Sequence, residues 1–286
     1  AAFRHVRRQA VSLRAVTAAP MGCTALLKKA SLVGAFFVCL LTTLAAPAAC
    51  LAPGTLTQVR VSKVLDGDTL RLQDGRNVRL IGVNTPELGH HGRPVEPFAV
   101  QAQRRLQALV AANDGRVGLQ LGSQAKDHYG RTLAHAYDAL GQNLEAQLLA
   151  EGLGYLVAIP PNTAQVACQR VAEQQARQAH QGLWQKSPVL TPEQLRNSGF
   201  AVLRGRVERV QRNRGGLWIE LHGPLVLRIS PAQLAGFDQA ALQRLPGQQV
   251  EARGWVIDRA KRGGVKNGQA RWLLPLSHPA MFEELP

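Results

Sequence analysis

The stretch VLDGDTLRLQDGRNVRLIGVNTPE, Val64–Glu87, decides how the chain is read. Within it, Thr69–Leu72 and Asn77–Val83 alternate apolar and polar side chains, the period of a strand with one buried face. Asp74-Gly75 between them is a tight-turn dipeptide, so the two runs are expected to pair as a hairpin. The hairpin carries Asp66 and Asp68 before its first strand, Arg79 on its second and Glu87 just beyond. Further on, Asp127-His128-Tyr129-Gly130-Arg131 supplies a second arginine. Acids that offer hard oxygen ligands, beside arginines that fork onto phosphate oxygens, suit a metal and a phosphate.

Outward from this stretch the periodicities define a barrel. Leu56–Leu65 alternates and reads as a first strand. Gly89–Pro97 is loop, and Phe98–Ala112 has Val100, Leu106, Leu109 and Val110 at helical spacing. Arg116–Leu121 and Leu133–Leu140 read as strands, Asn143–Leu149 and Thr163–Gln181 as helices, with Gly182 as a stop. Three strands, a helix and two strands are the order of a five-stranded Greek-key barrel of the OB type. This barrel is expected over residues 55–186, and Ser187-Pro188 with Thr191-Pro192 marks a linker over 187–198.

Residues 199–286 repeat the order with strands Ala201–Gln211, Leu217–Leu221, Leu225–Ile229, Val250–Ile257 and Ala270–Leu276, and a helical or mixed Pro231–Arg244. A second, smaller OB-like barrel follows, and the fold class is mainly β with helices (α+β). The second half has no Asp-Gly-Asp-Thr and is read as non-catalytic. Its tracts Arg204–Arg214 and Arg259–Arg262 are candidates for meeting a phosphate backbone, or form a solvated charged face.

A formal charge of +15 favours an anionic partner, nucleic acid or membrane surface. The first 48 residues hold six Lys/Arg and no acid, and what remains is still basic, 28 against 19. Residues 1–48 are read as a leader and signal peptide that is removed, with Met21 as the start of translation. Lys28-Lys29 precede an apolar run, Ser31–Leu44, too short for a bilayer crossing of about 20 residues. Ala46-Pro47-Ala48 then offers a small-x-small cleavage site. Export to the periplasm or the medium is expected, with a lipid anchor on Cys50 as the minor alternative. Of Cys23, Cys39, Cys50 and Cys168, only the last two outlast such cleavage, and no disulfide framework is expected to hold the fold.

Hydrolysis of a phosphodiester needs a positioned water and neutralisation of the added negative charge, and a metal shares both tasks. Asp68 can ligate the cation, Glu87 can hold the water, and Arg79 and Arg131 can clamp the phosphate. Asp66 and Asp127 are further acids near the same loops. Taken singly, each has a plainer reading. Asp66-Gly67-Asp68 is a turn, Arg79 and Glu87 are a surface ion pair, and Pro86-Glu87 opens a loop.

Together these residues resemble the thermonuclease family, the staphylococcal-nuclease-like domains. The likeness rests on Asp66-Gly67-Asp68-Thr69, on Arg79-Leu80-Ile81-Gly82-Val83-Asn84-Thr85-Pro86-Glu87, and on Asp127–Arg131 with Leu133-Ala134 after it. Gly152-Leu153 and Pro161-Asn162 fit the later part, and the likeness covers residues 56–185. It implies an OB-fold nuclease that uses calcium, or another divalent metal, on DNA and RNA, with single strands favoured and 3′-phosphate products. It also implies Asp68, Asn84 and the Thr85 carbonyl around the metal, and Arg79, Glu87 and Arg131 as catalytic residues.

Two positions depart from the family. Asn84 stands where an aspartate ligand is usual, which removes one negative charge from the site. Val157 and Ile159 stand near the places of tyrosines that pack on the nucleotide, leaving Tyr129 and Tyr155 as the nearby aromatics, with Asp127 beside them. A monomer is expected. The alternative readings are a binding module with a weakened metal site, motivated by Asn84, and a basic envelope scaffold.

Overall fold

The computed structural model describes residues 50–286 except His90, His91, Arg93, Gly264, Lys266 and Asn267. Met21, the charged pair, the apolar run and the cleavage site lie outside the described residues. Among the described residues no helix is long and apolar enough to cross a membrane.

The first part runs β1 (Gln58–Val64), β2 (Thr69–Leu72), β3 (Asn77–Leu80), β4 (Val83–Asn84), α1 (Ala99–Ala112), β5 (Arg116–Lys126), β6 (Thr132–Tyr137), α2 (Leu144–Ala150), β7 (Tyr155–Leu156) and α3 (Val166–Gln178). Five of the strands close a barrel in the order β1-β2-β3-β6-β5. Only β3 and β6 pair in parallel, with Arg79 opposite Leu133. Leu70, Val78, Leu80, Leu106, Val117 and Ala134 bury the inward face. The expected hairpin is present, with the amide of Gly75, at φ +89°, donating to Leu72 O at 3.1 Å.

The run expected as one strand over Asn77–Val83 is broken. Ile81-Gly82 turns the chain off the barrel, and β4 pairs with β7, setting Asn84 opposite Tyr155. Gly82 sits at φ +91°, and a Cβ there would fall 1.9 Å from Gln169 Oε1, so this turn requires glycine. Strand β6 stops three residues earlier than expected because Asp138 Oδ1 accepts the amides of Leu140 and Gln142, both at 2.9 Å, and turns the chain.

The second part runs β8 (Val189–Leu190), β9 (Gly199–Asn213), β10 (Gly216–Leu221), β11 (Leu225–Ile229), α4 (Gln239–Gln243), β12 (Gln249–Asp258), β13 (Trp272–Leu276) and β14 (Phe282–Leu285). Strand β12 pairs with both β13 and β9, which closes the ring β9-β10-β11-β13-β12. Strands β11 and β13 are parallel, so the ring repeats the strand order of the first barrel. The stretch expected as linker, 187–198, instead contributes β8, which pairs with Val202 and Leu203 of β9. Strand β14, which was not expected, pairs with β12.

The two barrels pack as one unit, not as beads on a linker. The described residues, from Cys50 onward, form a single compact body. The outer faces of β9 and β12 meet α3 through charged groups. Arg253 Nη1 donates to both oxygens of Glu173 at 2.6 Å, and Arg177 Nη2 donates to Glu251 at 2.6 Å. Cys50 and Cys168 form a disulfide, which corrects the expectation that none would tie the fold. The bond also occupies the sulfur that a lipid on Cys50 would need.

Candidate active site

The site begins at the bend between β1 and β2. Asp66 Oδ1 accepts the amide of Asp68 at 3.0 Å, a side-chain-closed turn. A Cβ on Gly67 would lie 2.6 Å from Ala102 Cβ and 2.7 Å from Thr85 Oγ1, so the glycine lets α1 and Thr85 press directly on the turn. The plain reading as a turn is correct, and the turn is also what aims Asp68 inward.

Asp68 is buried and fully engaged. Its Oδ1 accepts the Thr69 hydroxyl at 3.0 Å. Its Oδ2 accepts the Thr85 amide at 2.9 Å and the Thr85 hydroxyl at 3.2 Å. Arg79 Nη2 lies 3.1 Å from the same oxygen. Arg79 reaches it because the β2–β3 register sets Thr69 opposite Arg79. Its Nη1 donates to Leu80 O at 2.6 Å and Val83 O at 2.8 Å, and its Nη2 donates to Asn84 Oδ1 at 3.2 Å. One guanidinium nitrogen therefore bridges Asp68 and Asn84.

Asp66 is pushed up to about 7, first by burial and then by the charge of Asp68 beside it. Asp68 Oδ2 and Asn84 Oδ1, gathered on one Arg79 nitrogen, are oxygen donors of the kind that suits a hard divalent cation. Among the described residues no three His, Cys, Asp or Glu side chains gather for a metal. A cation here would lean on Asp68 with Asn84 and Thr85.

Arg131 lies just before β6. It stands two residues ahead of Leu133, which pairs with Arg79. Asp127 builds the turn in front of it. Its Oδ1 accepts the amides of Tyr129 at 3.0 Å and Arg131 at 2.9 Å, and its Oδ2 accepts Arg131 Nε at 2.7 Å. Burial alone would raise the Asp127 carboxyl, but the bonds and charge of Arg131 outweigh it and hold the group below its ordinary value. Tyr129 is 73% exposed, and Arg131 sits 5.5 Å over its ring.

Glu87 is exposed, two residues beyond Thr85. Its amide donates to Glu96 Oε2 and its carbonyl accepts the Glu96 amide, both at 2.9 Å, which closes the loop that follows it. Glu96 lies in the stretch expected as loop, and nothing in the local sequence distinguishes it. Tyr155 pairs with Asn84 across β4 and β7 but turns its ring to the junction. Its ring packs 5.7 Å from Trp184 and 5.2 Å from Phe200 in the junction between the barrels. Burial, then the charges of Glu96 and Glu173, push its hydroxyl up to about 12. Of the two positions near the family's tyrosines, Val157 is buried in the second barrel's core and Ile159 is exposed.

A closed OB barrel with an aspartate–arginine pair at its first turn, and a second arginine just before the strand that pairs with Arg79, fits a protein of the nuclease-type OB class. Comparison with known proteins agrees. The family described as Staphylococcal nuclease homologue matches residues 77–186. Endonuclease YncB of Bacillus subtilis is 33% identical over 150 residues, 51% of this chain and 67% of that protein. Thermonuclease of Staphylococcus intermedius is 34% identical over 130 residues, 44% of this chain and 75% of that protein. The chain belongs to the thermonuclease, or staphylococcal-nuclease-like, family, and the names of these relatives support a nuclease.

Proposed function

We propose that the protein is an exported, calcium-dependent nuclease that hydrolyses phosphodiester bonds of DNA and RNA, favours single strands and leaves 3′-phosphate ends. The observation that carries this reading is Arg79 Nη2, held between Asp68 Oδ2 at 3.1 Å and Asn84 Oδ1 at 3.2 Å. It puts a phosphate-binding fork against the oxygens best suited to a cation, with Asn84 three residues before an exposed glutamate, Glu87. A bound divalent ion would polarise a phosphate oxygen and ease deprotonation of water. Asp68, Asn84 and the Thr85 carbonyl would hold it. Glu87 positions the attacking water and takes its proton on the carboxylate. Arg79 and Arg131 bind non-bridging phosphate oxygens as negative charge grows there, and Asp127 fixes Arg131 through Nε.

The Cys50–Cys168 disulfide supports export, since such bonds persist in oxidising compartments. The second reading, a nucleic-acid-binding module, draws on the same bridge. A guanidinium between Asp68 and Asn84 supplies a cation of the chain's own, and Asn84 brings no charge to attract another.

A cleavage assay on heat-denatured DNA and on RNA, with calcium, with magnesium and with chelator, separates the two. Cleavage with calcium alone, yielding 3′-phosphates, is expected. Binding without cleavage under every condition would establish the module instead.

A further inference from the structure

The outer faces of β9 and β12 carry a row of paired residues: Glu251 opposite Arg204, Arg253 opposite Val202, Trp255 opposite Phe200. Helix α3 seals most of that row. Glu251 is 2% exposed and Arg253 6%, whereas Trp255 is left 41% exposed. The exposed end is aromatic and continues into the first barrel. Phe200 lies 5.2 Å from Trp255 on one side and 5.2 Å from Tyr155 on the other. Tyr155 stands opposite Asn84 across β4 and β7, and Asn84 accepts a hydrogen bond from Arg79. Tyr155 also feels Glu96, whose carboxylate accepts the Glu87 amide. The aromatic row thus runs from the backbone of the candidate active site to an open tryptophan on the other barrel.

We propose that Trp255 and Phe200 form a stacking platform for the unpaired bases of a single-stranded nucleic acid whose phosphates lie at the Asp68–Arg79 site. The inference rests on the nucleic-acid substrate proposed above and assigns the second barrel a part in binding it. Aromatic faces stack any base, so the platform is indifferent to sequence but demands that bases be unpaired. The basic excess of that half, fourteen Lys/Arg against eight Asp/Glu over residues 187–286, favours a polyanion as the occupant.

The test is binding of labelled single-stranded DNA, single-stranded RNA and a duplex of the same sequence, by fluorescence anisotropy in chelator. Trp255→Ala should weaken both single strands by about tenfold and leave the duplex unchanged. Trp255→Phe should recover most of the loss. Trp255→Leu, which keeps apolar bulk without a ring, should not. Unchanged single-strand affinity in Trp255→Ala, an equal loss for the duplex, rescue by leucine, or no single-strand binding by the unaltered protein would each overturn the platform. Cleavage by the unaltered protein is scored separately. Calcium-dependent cleavage with no effect of Trp255→Ala on binding removes the platform and keeps the nuclease. Loss of single-strand binding in Trp255→Ala, when the unaltered protein cleaves neither DNA nor RNA with calcium, with magnesium or with chelator, keeps the platform and removes the nuclease.

Discussion

Arg253, on the second barrel, grips Glu173, on the first, with one nitrogen 2.6 Å from both carboxylate oxygens. Glu173 in turn accepts the amide of Leu156 at 2.8 Å and so pins β7, the strand that faces Asn84. Truncating Arg253 would leave a buried carboxylate without its partner. Arg253→Ala is expected to cost about 3–5 kcal/mol. The double replacement Arg253→Leu with Glu173→Leu should recover most of it, because no unpaired charge then remains buried. Urea denaturation of the unaltered protein and the two variants checks this, and a single mutant no less stable than the double would refute it.

Glu251 gives the junction an acid limit. Burial would raise its carboxyl, but Arg177, Arg253 and Arg204 together outweigh burial and hold it below its usual 4.5. A carboxyl depressed in the folded state adds stability above its unfolded value and loses that stability as pH falls through the folded one. Stability is therefore expected to drop as the pH goes below about 4.5, and Glu251→Gln should flatten that limb while lowering stability at neutral pH. Denaturation midpoints followed from neutral into acid solution supply the comparison. Parallel curves for the two proteins would remove Glu251 as the source.

The disulfide closes a loop across a sequence separation of 118 residues. Cross-linking so long a loop restricts the unfolded chain, and its loss is expected to cost about 2–4 kcal/mol. Thermal unfolding with and without reductant, alongside Cys50→Ser, should give matching lower midpoints. A midpoint indifferent to reductant would mean that the bond contributes nothing to the folded barrel.

Asn84 sets how strongly the site attracts a cation. Asn84→Asp keeps the oxygen near Arg79 and adds a full negative charge beside Asp68. Calcium affinity should rise on the order of tenfold. Calorimetric titration reads this without reference to turnover, and an unchanged affinity would take Asn84 out of the ligand set.

The first barrel was legible because hydrophobic period, turn dipeptide and helix spacing agree along it. Asp74-Gly75 and the alternating Thr69–Leu72 can hardly be read otherwise. The core of the site was equally open to reading, since Asp68, Arg79, Asn84 and Thr85 lie within one short stretch and the hairpin register brings them together. What escaped is non-local. Gly82, in the turn that follows β3, lies against the side chain of Gln169, 87 positions later, a contact no window around Gly82 contains. Tyr155 reads as a free aromatic until Trp184 and Phe200 close on it. The two-proline stretch at Ser187–Pro192 signals a linker, yet Val189-Leu190 finds an open strand edge on β9, and a strand of two residues has no period to detect.

The bond from Cys50 to Cys168 also decides how the molecule bears tension. Force applied between the chain before residue 50 and its C-terminal end would pass from Cys50 through sulfur directly into α3. Residues 51–167, which include every strand of the first barrel and the whole Asp68–Arg79 site, lie inside that covalent ring and off the load path. Stretched by a surface attachment at either end, the protein would unravel its second barrel first, with the first still folded within a loop that cannot lengthen.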